Sequence, residues 1–208
     1  MSDDAWYAMP VLAGSRIRLQ PLTMEDAPAY LDAAGKPDEA EEVFRWMTPP
    51  RGTLAPPATL DDARSHILSA LAARARGERL PYAQFDVATG VFIGSTSYYE
   101  VNPTSRGLAI GHTWFGRQWW GSGHNVESKL LLLTHAFETL GAVRVAWHTD
   151  IKNERSQAAI ARLGAQREGV LRKHRLRRDG TWRDTVQYAM TDDDWPAAAA
   201  GLRERLGC

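Results

Sequence analysis

The sequence predicts an α/β (α+β) fold: a mixed, mostly antiparallel central sheet of about seven strands with helices on both faces. Three observations predict it. Strand-like runs meet at tight turn signals, Thr89-Gly90 and Asp179-Gly180, and so read as hairpins. A leucine-rich helical segment separates two further strand-like runs and supplies a crossover. Amphipathic segments of helical period lie between the strands throughout.

The elements follow in order. Residues 16–20, RIRLQ, alternate polar and apolar and form a first strand, which Pro21 ends. Thr23 caps a helix over MEDAPAYLDAA, with Asp26 as the capping-box acid, and Pro28 disturbs its regularity. Residues 47–59 carry four prolines and a glycine and form a restricted surface flap. A helix from Leu60 to Arg76 buries Ile67, Leu68 and Leu71 and stops at Gly77. Strands over 81–87, 91–101 and 108–115 precede a helix from Asn125 to Leu140. Its stripe is Val126, Leu130, Leu133, Phe137 and Leu140. A strand at 143–149 places Val143, Val145, Trp147 and Thr149 on one face. A short helix over 153–164, a hairpin around Asp179-Gly180 and a terminal helix over 192–206 complete the chain.

With 208 residues, one domain spanning 1–208 is expected, its core at about 14–195. The formal net charge is zero, so no global nucleic-acid footprint is expected. The longest apolar run, Leu130–Leu133, falls far short of the roughly 20 residues of a membrane span. The N-terminal segment lacks a signal pattern, and the one cysteine, Cys208, has no partner for an internal disulfide. A cytoplasmic location fits. The six histidines form no helical pair around an acid, so no metal site is predicted.

The stretch RQWWGSGHN, residues 117–125, lies between a strand and a helix. The first turn of a helix offers unpaired N–H groups and the positive end of the helix dipole, and glycines let a phosphate approach. Three phosphate-loop patterns compete. The nucleoside-triphosphate loop has its glycines at Gly116 and Gly121, but Ser122 takes the lysine position. The dinucleotide fingerprint fits Gly121 and Gly123, but Val126 takes the third glycine position; Asp150 after the next strand keeps that reading open. The third pattern, Gln/Arg-x-x-Gly-x-Gly/Ala, matches in full at Gln118, Gly121 and Gly123.

With that loop, four segments in order carry a family resemblance: RIRLQPLTMEDA, IGHTWFGRQWWGSG, TDIKNERSQAAIARLGAQREG and DGTWRDTVQYAM. The chain resembles the GNAT superfamily of acetyl-CoA-dependent N-acetyltransferases, and within it the RimJ/RimL-like branch of ribosomal-protein N-terminal acetyltransferases. The resemblance implies the acyl-CoA N-acyltransferase (GNAT) fold and acetyl-CoA as cosubstrate. The acceptor would be a primary amine, a protein N-terminus or a small molecule, attacking directly in a ternary complex.

It also implies roles. The strands at 108–115 and 143–149 would splay apart, with the pantetheine arm between them, paired with the backbone of Trp114 and Phe115. The N–H groups from Gln118 to Asn125, including Trp120, Gly121, Ser122, Gly123 and His124, would hold the pyrophosphate. Asn153 would bond the pantetheine arm, and Ser156 would protonate the departing thiolate. Many relatives carry a glutamate where this chain has Ala109, and a carboxylate where it has Arg175. His112, His174, Glu100 and Asp184 are then the candidate bases, and Trp46 on the proline-rich flap is a candidate wall of the acceptor groove. The run RKHRLRRDG is a solvated hairpin that would also attract an acidic acceptor. A CoA-binding regulatory protein without catalysis and a dinucleotide-binding oxidoreductase are the competing readings. The sequence leaves the oligomeric state open, a homodimer included.

Overall fold

The chain begins with helix α1 (Asp3–Tyr7), a two-residue strand β1 (Leu12–Ala13) and β2 (Ile17–Pro21). The structure is a computed structural model that describes residues 3–47 and 55–207. Thr23 and Asp26 form the expected box: Asp26 Oδ2 accepts the Thr23 N–H at 2.8 Å. They start a single 3-10 turn (Met24–Asp26), and α2 (Ala27–Ala34) follows it. Pro28 therefore falls in the first turn of α2, where its missing N–H breaks no bond, and it disturbs nothing.

Helix α3 (Pro37–Phe44) is additional to the expected elements; it buries Ala40, Val43 and Phe44. Its signal was the proline at its first position. Of the proline-rich flap, residues 48–54 lie outside the described residues. Helix α4 (Leu60–Ala75) is capped reciprocally by Thr59 and Asp62, with N···O distances of 2.8 and 3.2 Å. Leu68 is 61% exposed, against expectation. The buried stripe is Ala63, Ile67 and Ala70, and a residue next to Ile67 lies about 100° around the helix from it.

Strands β3 (Arg79–Asp86), β4 (Phe92–Asn102) and β5 (Gly107–Phe115) form the centre. Helix α5 (His124–Thr134) follows, then β6 (Arg144–Asp150), α6 (Glu154–Ala161), β7 (Gln166–Leu176), β8 (Trp182–Thr191) and α7 (Trp195–Leu206). The helix expected to run to Leu140 instead widens into a π turn at His135–Thr139, where Leu140 N donates to His135 O. The buried Tyr98 hydroxyl donates to Leu132 O at 2.5 Å and competes for a carbonyl of the ladder just there.

Among the described residues the sheet has eight strands rather than about seven, in the order β1-β2-β3-β4-β5-β6-β8-β7; β1 is the addition. Every pairing is antiparallel except β5–β6. The glycine loop and α5 do lie within that one parallel unit, but the dinucleotide fold needs a mostly parallel, doubly wound sheet, and the other pairings here are antiparallel, which disfavours that reading. Alternation along each strand divides the core. Leu80, Tyr82 and Tyr98 pack with α5 and α7, whereas Ala83, Phe92 and Trp114 pack with α2, α3 and α4.

Glu127 in the first turn of α5 fixes the helix to the edge of the sheet. Its buried carboxylate accepts from Ser15 N (3.0 Å), Ser15 Oγ (2.7 Å), Arg16 N (2.7 Å) and Ile17 N (2.8 Å). Burial pushes its pKa up, but the bonds from Ser15, Arg16 and Ile17 outweigh burial and hold it below the usual carboxylate range. Glu127→Ala strands three backbone donors and should cost about 3 kcal/mol in urea unfolding at pH 7. Because the folded carboxyl titrates below the unfolded one, its contribution is complete above the ordinary carboxylate range and is lost as pH falls through the depressed value. Equal stability of variant and wild type at pH 7 would refute this role.

Candidate active site

Strands β5 and β6 pair through only three residue pairs, Gly107↔Arg144, Leu108↔Val145 and Ala109↔Ala146. Beyond Ala109 and Ala146 they separate. The cause lies in β5. Between Gly111 and Trp114 that strand has one residue more than the facing stretch of β4, from Ser97 to Ser95. The extra residue is a bulge, which bends the strand. His112 sits in it with φ of 51°, a left-handed conformation uncommon outside glycine. Gly111 is needed beside it, because a Cβ there would lie 2.7 Å from the Tyr99 ring. Below the bulge Lys129 Nζ donates to Thr113 Oγ1 (2.9 Å) and Thr96 Oγ1 (3.2 Å). Burial lowers that amine's pKa to about 7.

The wedge between the strands runs toward the head of α5. Gly121 (φ 76°) and Gly123 (φ 88°, the N-cap) shape the approach. The hydrogen-bond ladder starts at Val126 N and Glu127 N, both donating to Gly123 O. The amides of Gly121 to Asn125 lie ahead of that ladder. Trp119 N and Trp120 N are engaged in the 3-10 turn Arg117–Trp119, donating to Gly116 O and Arg117 O, which narrows the expected set. A Cβ on Gly121 would meet nothing within 4 Å, so the loop borders open space. Asn125 Oδ1 is buried without a hydrogen-bond partner at this point. Basic groups lie against Trp120 and Gly123 of the loop. The Arg155 and Arg117 guanidinium carbons lie 3.3 and 4.5 Å from the Trp120 ring centroid. The Arg16 chain lies 4.0 Å from where a Gly123 Cβ would stand. Free amides, open space and surrounding cations fit a diphosphate ester.

The side chains of Ser122 and His124 face inward. Ser122 Oγ donates to Trp119 O (2.6 Å) and lies 2.7 Å from His124 Nδ1, while His124 Nε2 lies 2.9 Å from Asp86 Oδ1. These residues therefore offer a ligand their backbones. Gln118 is exposed in the 3-10 turn. The Trp114 carbonyl accepts from Gln84 Nε2 (3.4 Å), and the Phe115 carbonyl accepts the Trp120 indole N–H (3.0 Å). Both carbonyls are thus satisfied within the protein. Asn153 caps α6 by accepting from Ser156 N at 3.1 Å. With Glu42, Arg45, Trp46, Lys152 and Arg155 it lines a cavity of about 250 Å³, so Trp46 and Asn153 do come together.

Where the strands part, one face carries a titratable cluster. Tyr99 is the cross-strand partner of Ala109, and its hydroxyl lies 2.7 Å from His148 Nδ1. Glu100 Oε2 is 3.9 Å from the same nitrogen. The His112 ring stands edge-on to Tyr99 at 5.4 Å. Burial lowers the pKa of His112 well below its ordinary value, and Arg79 and Arg175 add to that. Burial also lowers His148, with Glu100 opposing. His174 is exposed nearby, lowered by burial, Arg175 and Arg183. Asp184 is committed elsewhere, accepting from Lys173 N at 2.7 Å. Sequence reasoning named Glu100, His112 and His174 but missed Tyr99 and His148. Their one available signal was register: residues flanking Ala109 and Ala146 must meet at the fork.

Among the described residues no group of three His, Cys, Asp or Glu side chains is placed to hold a metal, and no helix is long and apolar enough to cross a membrane. In NMR titration His148 should show a pKa below that of a free imidazole, and Glu100→Gln should lower it further by removing the opposing charge. A rise in the variant would contradict the assigned contact.

Residues 16–166 match the family described as the acetyltransferase (GNAT) domain. The ribosomal protein uS5-alanine N-acetyltransferase of Escherichia coli (strain K12) is 29% identical over 121 residues, 58% of this chain and 61% of that protein. Less than two thirds of that relative is therefore represented in the match. An uncharacterized N-acetyltransferase of Bacillus subtilis (strain 168), YoaA, is 28% identical over 87% of this chain and 96% of its own. A GCN5-related N-acetyltransferase from Brucella melitensis superposes with a TM-score of 0.86 at 25% identity, covering 95% of this chain and 85% of that one. A family match over most of the chain, a shared fold and a forked sheet aimed at a glycine-capped helix agree: the chain belongs to the GNAT acetyltransferase family.

Proposed function

We propose that this protein transfers an acetyl group from acetyl-CoA to a primary amine, a protein N-terminus or a small-molecule amine, by direct attack in a ternary complex. The carrying observation is the fork between β5 and β6 at Ala109 and Ala146, open toward the amides of Gly121–Asn125. The amides ahead of the α5 ladder would hold the diphosphate, with Arg16, Arg117 and Arg155 around them. Asn153, whose Oδ1 already caps α6, would offer its Nδ2–H to the arm in the fork. Acetyl-CoA, when bound, supplies an activated thioester carbonyl.

An α-amine has a pKa of about 8, so a useful fraction is neutral at pH 7 and needs only modest help losing its proton on attack. Glu100 and His148, joined by Tyr99 at the fork, are the groups we assign to receive it. They stand beside Ala109, whose methyl cannot serve. The half-buried His112, its pKa well below the ordinary value, would shape the pocket rather than take the proton. Ser156, in the first turn of α6 beside Asn153, is the group we assign to protonate the departing thiolate. The E. coli relative's action on a ribosomal-protein alanine supports a protein N-terminus as one acceptor class. A reducing cytoplasm suits a chain with one cysteine.

Titration calorimetry and thiol release test the proposal together. Wild type should bind acetyl-CoA and release free thiol when given amines. Gly121→Glu places a carboxylate at the diphosphate and should weaken acetyl-CoA binding by about tenfold or more. Gly121→Ala, which adds only backbone strain in open space, should bind far better than Gly121→Glu. Equal affinity of the two variants would refute the assigned loop. Binding without turnover of any amine would favour a regulatory CoA-binding role.

A further inference from the structure

The inward-facing side chains of the loop before α5 form one hydrogen-bonded chain, and its protons can be counted. Trp119 O has no proton to give, so at 2.6 Å the Ser122 hydroxyl donates its single hydrogen there. The 2.7 Å contact between Ser122 Oγ and His124 Nδ1 then takes its proton from the ring. At the other end His124 Nε2 lies 2.9 Å from Asp86 Oδ1. The second oxygen of that carboxylate accepts from Thr89 Oγ1 (2.6 Å) and Thr89 N (2.8 Å). The bonds from Thr89, and after them the bond from His124, hold the Asp86 carboxyl below its usual range. Asp86 is therefore an anion with no proton to offer, and Nε2 supplies that one as well. Both ring nitrogens carry hydrogen: His124 is an imidazolium, 7% exposed and paired with a buried carboxylate.

His124 is the first residue of α5, where the helix dipole disfavours a cation, and Asp86 offsets that. With its proton the pair has no net charge. Without it two things change together. The chain is one hydrogen short, so Ser122 must give up either Trp119 O or His124, and the loop with the Gly121 and Gly123 turns loses its inner brace. The pair also becomes a net anion behind the amides of Gly121–Asn125, where it repels a diphosphate. The other charged groups around the pair lie on four sides. Arg16 reaches Gly123, and Arg18 shares a cavity wall with Asp86. Glu127, one turn along α5, is turned to the N–H groups of Ser15, Arg16 and Ile17. Arg117 and Arg155 lie against the Trp120 ring. We infer that Asp86 and His124 are positioning residues for the diphosphate: a proton held between them keeps the loop in its binding shape, and acetyl-CoA binds more weakly once that proton leaves. This inference rests on acetyl-CoA occupying the loop as proposed above.

Titration calorimetry of the full chain with acetyl-CoA at pH about 6 and about 9, on either side of the range where imidazoles titrate, tests it. Wild type should bind about tenfold or more tighter at the lower pH. Asp86→Asn is the diagnostic variant. Its amide nitrogen can donate to His124 Nε2 while its amide oxygen accepts from Thr89, so the chain is complete with a neutral ring and no anion forms as pH rises. Most of the wild-type pH ratio should therefore disappear in Asp86→Asn. If Asp86 were only a structural brace, the variant would lose affinity at both pH values and keep the ratio. Nitrogen-15 NMR of the free wild-type protein at pH about 7 adds a reading that needs no variant: both ring nitrogens of His124 should carry hydrogen. Equal wild-type affinity at the two pH values, an Asp86→Asn ratio as large as that of wild type, or a bare ring nitrogen in the NMR spectrum overturns the inference and leaves the diphosphate site standing. No binding of acetyl-CoA at either pH overturns both.

Discussion

One extra residue in β5 governs the architecture of the site. The bulge at Gly111–His112 bends the strand away from β6 after three pairs, so a central, mostly buried sheet acquires an internal fork. A fork exposes backbone donors and acceptors that a continuous sheet would satisfy internally, and it is stable only when something polar enters it. The rest of the molecule is arranged around that gap. Helix α5 presents its head to the fork, Glu127 ties α5 to β2, and Lys129 braces Thr96 and Thr113 below the bulge.

The loop before α5 is built for rigidity rather than for side-chain recognition. The chain Asp86–His124–Ser122–Trp119 O locks its polar side chains inward. Glycines at 121 and 123 adopt positive φ, which turns successive amides outward. Arg117 and Arg155, both against the Trp120 ring, then place cations beside the loop, Arg117 also pairing with Glu42. Anion binding by backbone depends little on side-chain identity beyond glycine, which is why so short a motif carries so much.

That same property made the loop legible in the sequence. Gly121 and Gly123 between a strand and a helix pointed to a phosphate site, and the strand order gave a mixed sheet with one crossover. Element identity held wherever period and turn chemistry agreed, as at Thr89-Gly90 and Asp179-Gly180. The sequence was silent where tertiary contacts decide. The acidic α3 gains its structure from Val43 and Phe44 packing under Trp114. The π turn after Thr134 reflects one Tyr98 hydroxyl. Leu68 faces water because the small residues Ala63 and Ala70 flank Ile67 on the packed face. The fork cluster was only half visible, since His148 on β6 is remote in sequence from Tyr99 and Glu100 on β4 and meets them only through the fold. The bulge at His112 is likewise a matter of counting residues against β4, which no local pattern records.

Central to the whole account is that the fork and the helix head form one continuous receptor for an acyl thioester of CoA. A crystal structure of the protein with acetyl-CoA tests this most directly. The diphosphate should lie on the amides of Gly121–Asn125, with the arm passing between residues 110–115 and 147–150 and the thioester beside Ala109. A diphosphate bound away from α5, or strands β5 and β6 closed along their full length with the ligand elsewhere, would contradict it.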